Sequence, residues 1–290
     1  MQPFKYSGNG VMDVIFFFSG GASSMQGVLE SPDHGRIYRV VGALTNRTEK
    51  QAAKGYDIAR QFGVEVVHLD PQDFDSRVDF YRAVAERVDA FEPDVVGLSG
   101  WLKKYSMISD PFLTAYGNRI VNVHPADLSV LAELNGQHPL DIGRKNLKIS
   151  RAANTNHDRV RIYRADRGWE RMLTGDDAVN LAVLLGEKEV CSTIHSVTDE
   201  CDGGPILVQS KRFPVDTGFV DEMLRRNALD RIADYAHGLQ GEMKTKCDKP
   251  AFCTALKLLA ESTVGIANDF VTRDDKPMPY GGYQMDAMAA

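Results

Sequence analysis

The sequence predicts an α/β fold built on a doubly wound, mostly parallel sheet. Two observations carry that expectation. Through the first half of the chain, short apolar runs rich in β-formers alternate with segments of helical period. Such alternation implies right-handed crossovers between parallel strands. Turn residues also close each run, at Ser19-Gly20-Gly21, Gly100-Trp101 and Asn122-Val123-His124-Pro125. These fall beyond the carboxyl ends of the expected strands, where such sheets bind ligands.

The elements follow in order. Residues 11–18 form the first expected strand, followed by a helix over 23–29. Residues 38–44 form the second, and a helix over 49–62 places Ala52, Ala53, Tyr56, Ile58, Ala59 and Phe62 near one face. A short strand over 64–69 ends at Asp70-Pro71, a helix covers 75–91, and 94–98 is a continuous apolar strand. Ser109-Asp110-Pro111 starts a helix, and 119–123 is the next strand. From 128 to 171 neither period persists and Arg and Lys accumulate, so this stretch is expected to be a long basic insertion or lid. A helix resumes over 176–185, capped by Thr174 or Asp176. Residues 190–197 and 205–213 predict two strands of a hairpin-like unit across Asp202-Gly203-Gly204. A long helix is expected from Asp216-Thr217 to about 239, and another over 250–259. The tail after Asp274, with Pro277, Pro279 and Gly281-Gly282, is expected to be irregular. The domain reading is an α/β domain over 1–215, with the insertion at about 128–171, and a helical C-terminal extension over 216–290 packed on it.

Composition sets the class of partner. A chain of 290 residues, 43% hydrophobic, can bury a full core. A net charge of −6 argues against nucleic-acid or anionic-membrane partners. The apolar run at 11–18 is interrupted by Asp13 and is too short to span a bilayer. It lacks the charged lead and cleavage site of a secretory signal, so a cytoplasmic location is expected. Cys191, Cys201, Cys247 and Cys253 have no zinc-ligand spacing and are expected to be reduced thiols, with no metal bound.

Chemistry concentrates at two distant segments. Asn122 and His124 stand two apart, so on a strand both point to one face. Asp202 sits on a Gly-Gly turn, where backbone approaches a ligand closely. An amide, an imidazole and a carboxylate at strand ends make a kit for proton transfer at a carbonyl. A lone His after a strand is more often structural; Asn122 and Pro125 on either side of His124 shift that balance. His195, mid-strand, reads as a satisfied core or cleft histidine. Ser19-Gly20-Gly21-Ala22-Ser23-Ser24 reads equally as an anion-binding strand-to-helix loop or as an ordinary tight turn. It is neither a dinucleotide fingerprint nor a P-loop, and nothing around Ser23 or Ser24 resembles a nucleophile elbow. The basic stretch is either a solvated surface loop or a source of Arg clamps for an anionic substrate or a folate glutamate tail.

The motifs, taken in order, resemble the formyltransferase family. They are Phe18-Ser19-Gly20-Gly21-Ala22-Ser23-Ser24-Met25-Gln26, Leu44-Thr45-Asn46-Arg47, Phe91-Glu92-Pro93-Asp94, Leu98-Ser99-Gly100-Trp101-Leu102, Ile120-Val121-Asn122-Val123-His124-Pro125, and Thr193-Ile194-His195-Ser196-Val197-Thr198-Asp199 through Asp202-Gly203-Gly204-Pro205-Ile206. The resemblance covers about 13–213, apart from the insertion, and implies a Rossmann-like sheet. It implies 10-formyltetrahydrofolate as co-substrate and a primary amine as acceptor, with glycinamide ribonucleotide the family's default. Asn122, protonated His124 and Asp202 are then the catalytic trio, Asp202 raising the His124 pKa. Leu102, Lys103, Tyr105, Val197 and Asp199 would border the pterin. Gly20, Gly21, Ser23 and Ser24 would hold the acceptor phosphate.

Departures bear on the acceptor. The family follows His-Pro with Ser-Leu-Leu-Pro and a Gly-containing loop, whereas this chain has Ala126-Asp127-Leu128-Ser129-Val130-Leu131. Ala22 replaces a usual Gly, and Asp230 is the residue nearest the expected place of the family's acceptor carboxylate. A small phosphorylated amine remains the expected substrate, and a homodimer is left open. Alternatives are a formyltetrahydrofolate hydrolase, with water replacing the amine, or a folate-binding regulatory protein without turnover.

Overall fold

The structure, a computed structural model, describes residues 4–8, 10–101, 108–267 and 269–285. Its first half alternates as the apolar runs predict: β1 (Met12–Phe18), α1 (Ser23–Leu29), β2 (Tyr38–Thr45), α2 (Ala53–Gln61), β3 (Val66–His68), α3 (Arg77–Asp89), β4 (Val95–Leu98), α4 (Phe112–Tyr116) and β5 (Ile120–His124). The five strands pair in parallel. β1 is apolar almost throughout because both faces of the sheet are covered. Val14, Phe16 and Phe18 enter a core shared with Met25 and Val28 of α1. Ile15 and Phe17 enter the opposite one, with Phe80 and Val84 of α3 and Phe112 of α4. Each fully buried Phe contributes roughly 1.5–3 kcal/mol. Local signals fix the helices in place. Ser76 accepts the Asp79 N–H to cap α3. Gly55 lets α2 lie on the first loop, since a Cβ there would fall 2.6 Å from the Gly20 carbonyl oxygen.

The second half departs from the sequence expectation in several places. It comprises β6 (Val130–Glu133), α5 (Pro139–Ile142), β7 (Ile149–Arg151), α6 (His157–Arg167), β8 (Trp169–Arg171), α7 (Ala178–Leu184), β9 (Glu189–Val190), β10 (Thr193–Ser196), β11 (Ile206–Gln209) and β12 (Phe213–Pro214). The stretch 128–171, without period in sequence, is folded rather than loop-like. β6 is the centre of a three-stranded antiparallel sheet with β7 and β8, and Leu128, Leu131, Ala152 and Val160 are buried beside it. These strands of three or four residues are both short and interrupted by charged residues, so they print neither a period nor an apolar run. Neither Thr174 nor Asp176 caps α7; Asp177 is the cap residue, with no side-chain bond. β10 and β11 pair antiparallel as expected, and the outer ends of the predicted strands peel off as the separate β9–β12 pair.

The single long helix expected after 216 is two, α8 (Thr217–Arg225) and α9 (Leu229–Met243), parted at Asn227 with φ 55°. A π-helical turn, Lys244–Asp248, leads into α10 (Lys249–Ala260). α10 covers the main sheet: Phe252 stands 5.2 Å from Phe16, ring centre to ring centre, and Ala255, Leu256 and Leu259 share that core. The tail is not irregular. β13 (Val264–Ile266), β14 (Val271–Arg273) and β15 (Lys276–Pro277) form a small antiparallel sheet, and β16 (Tyr283–Gln284) joins β11 in parallel. The main sheet has the order β16-β11-β10-β5-β4-β1-β2-β3. Among the described residues no helix is long and apolar enough to cross a membrane.

Candidate active site

The carboxyl ends of β1, β4 and β5 open into one cavity of about 610 Å³. Its walls are the loop Ser19–Ser24, the segments Leu98–Trp101 and Asn122–Pro125, the turn bearing Asp202, and Asp248 from the π turn. The Gly20-Gly21, Gly100-Trp101 and Asn122–Pro125 turns therefore meet, as the strand-end argument expects.

Strand register supplies the first polar pair. β5 and β10 run antiparallel with Asn122 opposite His195, and Asn122 Nδ2 lies 3.2 Å from His195 Nε2. His195 Nδ1 lies 2.8 Å from the Ser196 carbonyl oxygen. A carbonyl only accepts, so Nδ1 carries the proton and Nε2 accepts from the Asn122 amide. That contact fixes the orientation of the amide and uses one of its two N–H groups, leaving the second for a ligand. His195 is thus a cleft histidine. Sequence alone leaves it between core and cleft, because its pairing with Asn122 is visible only in the register.

His124 is 4% exposed. Its Nε2 lies 2.7 Å from the Leu173 carbonyl oxygen, and its Nδ1 lies 3.4 Å from Asp202 Oδ2. By the same reasoning Nε2 carries the proton, and Nδ1 holds the lone pair that titrates. Burial lowers the His124 pKa; Asp202 opposes this, while His195 and Arg171 reinforce it, and the net direction is down. The resting imidazole is therefore neutral. This direction runs against the protonated His124 that the family resemblance implies: Asp202 pulls in the expected direction, but desolvation outweighs it.

Asp202 Oδ2 accepts the Gly175 N–H at 2.9 Å, and Oδ1 lies 3.5 Å from His195 Nε2. Burial alone would raise its pKa, but the two imidazoles and the Gly175 N–H outweigh that and hold the carboxyl below its usual range. The turn itself is demanding. Asp202 has φ 51°, and a Cβ on Gly204 would overlap the Ser196 carbonyl oxygen. Glycine at 204 is what lets the turn close on β10.

The other expected residues divide. Gly20, Gly21, Ser23 and Ser24 all line the cavity. A Cβ on Gly20 would meet nothing within 4 Å, so the loop leaves room for a ligand. Ser24 is less available than expected, because its N–H already donates to Ser99 Oγ at 3.1 Å. Val197 lines the cavity, whereas Asp199 lines a neighbouring hollow beside Trp169 and Tyr280. Leu102, Lys103 and Tyr105 lie outside the described residues. Asp230 is exposed in the first turn of α9 and is not on the cavity wall.

Asp248 takes a place on that wall instead. It accepts from Ser192 Oγ at 2.5 Å, and burial pushes its carboxyl up to about 6, against Ser192 and Lys244. Sequence reading misses it because the π turn that presents it has no periodic signature. Lys54 also reaches the cavity, its Cδ 3.5 Å from where a Cβ on Gly21 would stand.

Known proteins share the family motif region and the fold. Residues 12–142 match the formyl transferase family. Phosphoribosylglycinamide formyltransferase of Escherichia coli (strain K12) is 28% identical over 207 residues, covering 71% of this chain and 75% of the relative. The enzyme of the same name from Bacillus subtilis (strain 168) is 24% identical over 192 residues, covering 66% and 71%. Among solved structures, glycinamide ribonucleotide transformylase 1 from Symbiobacterium toebii superposes with a TM-score of 0.62 at 27% identity, over 93% of this chain and 97% of that one. Phosphoribosylglycinamide formyltransferase from Coxiella burnetii shares the fold, with a TM-score of 0.63 at 20% identity over 94% and 99%. The match to the formyl transferase family thus spans residues 12–142, and the fold over almost the whole chain is similar to that of the solved transformylases.

Proposed function

We propose that this chain moves a formyl group from 10-formyltetrahydrofolate to a primary amine, with phosphoribosylglycinamide (glycinamide ribonucleotide) the first-placed acceptor. The observation that carries the reading is the meeting of Asn122, His124 and Asp202 in one cavity with an open glycine loop. The cavity offers an apolar wall from Leu98, Trp101, Ile108 and Val197 for a flat pterin, and Asn122 and His124 stand among its polar lining groups at the β5 end. The curated relatives carry phosphoribosylglycinamide in their names, which supports putting it first among amines.

The chemistry follows from the residues. The acceptor nitrogen attacks the formyl carbon, and the second Asn122 N–H donates to the oxygen as it gains charge. The attacking nitrogen sheds one proton to His124 Nδ1, whose lone pair is free because Nε2 is bound to Leu173. The resulting imidazolium lies against ionised Asp202, and it returns the proton to the departing folate nitrogen. Protons balance: the amine loses one, the folate nitrogen gains one, and His124 ends neutral. Gly20, Gly21 and Ser23, beside Lys54, suit the acceptor's phosphate, and Asp248 offers an acceptor for its N–H or O–H groups.

The test is turnover of 10-formyltetrahydrofolate followed by absorbance, with and without phosphoribosylglycinamide. Consumption that requires the amine is expected. Release of formate at the same rate without it would replace transfer by hydrolysis.

A further inference from the structure

A buried guanidinium stands behind the turn that bears Asp202. Arg171, the last residue of β8, is 6% exposed. Its Nη1 donates to the Asp202 carbonyl, its Nη2 to the Gly204 carbonyl at 2.9 Å, and its Nε to the Tyr280 hydroxyl at 2.8 Å. Among the described residues no carboxylate lies within ion-pair distance of it, so this buried charge is spent on backbone carbonyls and one hydroxyl. Guanidinium has a rigid planar fork, and two carbonyls on one tight turn are a target that only such a fork meets at both points.

Tyr280 is itself anchored. Its N–H donates to the Thr155 carbonyl at 2.8 Å, and the next N–H, of Gly281, donates to Ala153 at 2.8 Å. The Arg171 guanidinium stands 5.3 Å from the Tyr280 ring centre. Segment 153–155, the chain's tail and the turn before β11 therefore interlock around one side chain.

We propose that Arg171, locked by Tyr280, is a positioning residue for formyl transfer: it holds the 202–204 turn so that the Asp202 carboxylate faces His124 and His195. The proposal rests on the formyl-transfer reading of the same cavity. The turn needs such a hold, because Asp202 takes left-handed backbone and Gly204 lies against the Ser196 carbonyl with no space to spare. Neither Arg171 nor Tyr280 touches the cavity, so their effect passes through Asp202. The groups facing His124 are Asp202 from the turn, His195 from β10 and Arg171 from β8, with the Leu173 carbonyl on Nε2.

Arg171→Lys keeps the charge and loses the fork. The expected result is a fall in kcat of ~10²-fold, the size of effect that a small misplacement produces, with the amine KM nearly unchanged. Asp202 drawn back from Nδ1 would support the imidazolium less, so His124, followed by NMR titration, is expected to titrate below its wild-type value. Arg171→Lys added to Asp202→Asn should cost little beyond Asp202→Asn alone. Wild-type kcat and wild-type His124 titration in folded Arg171→Lys would overturn the proposal, and so would lost stability with both unchanged. Should Arg171→Lys not fold, Tyr280→Phe removes one hydroxyl and carries the same two readouts, with a fall of ~10-fold expected and no change in either contradicting the lock. The NMR titration needs no turnover. An inactive wild-type protein whose His124 still shifts in Arg171→Lys would fault the transfer reading alone, whereas an active wild type with an indifferent variant would fault the positioning alone.

Discussion

Asp248 shows how one buried group ties the site to stability. Its carboxyl is raised to about 6 by burial, so between the ordinary carboxylate value and pH 6 the folded chain binds more protons than the unfolded one. Stability contributed by this group therefore falls as pH rises through that window. Above pH 6 the ionised form costs roughly 3 kcal/mol. Asp248→Asn is expected to keep an acceptor for Ser192 Oγ and to stabilise the chain above pH 6 by about 1–3 kcal/mol, with the gain vanishing near pH 4. Urea unfolding at pH 4, 6 and 8 checks it, and an equal effect at all three values would contradict the assigned burial. Loss of acceptor affinity in the same variant would show that the carboxylate is kept for binding rather than for folding. His124 and Asp202 make a complementary pair at this scale: one is held neutral by burial, the other ionised by its N–H donor and its imidazoles.

At the scale of elements, two glycines separate structure from binding. Gly204 has a carbonyl where its Cβ would be, and Gly20 has empty space. Gly204→Ala should push the Asp202 turn off β10, lowering kcat by ~10-fold or more along with stability. Gly20→Ala should leave stability within about 0.5 kcal/mol and raise the acceptor KM. Thermal unfolding beside steady-state kinetics distinguishes them, and the reverse pattern would reassign the two loops. The same contrast explains what sequence could and could not reveal. β1 through β5 and α1, α3 and α10 are legible because each is long enough, or apolar enough, to print its period. β6, β7, β8, β15 and β16 span two to four residues and print none. The break at Asn227 and the π turn before α10 depend on backbone that no pattern announces.

Across the whole molecule, the cavity joins residues from segments far apart in sequence. Asn122 and His124 come from the end of β5, Asp202 from the turn between β10 and β11, Asp248 from the turn before α10. Asn122, His124 and Asp202 are readable because motif and strand end coincide. His195 waits on the β5–β10 register, Arg171 on a three-stranded sheet without period, and Asp248 on the route of the C-terminal helices across the main sheet. The central claim is that His124 carries the proton for formyl transfer, with its Nδ1 backed by Asp202. Its most direct test is kcat against pH for amine-dependent turnover of 10-formyltetrahydrofolate, in the wild type and in His124→Ala. The wild-type rate is expected to fall on the acid side of the ordinary imidazole value of 6.5, because burial lowers His124 and protonation removes the base. His124→Ala should be slower by ~10²–10⁴-fold and lack that limb. A variant as fast as the wild type, with the same acid limb, would contradict it.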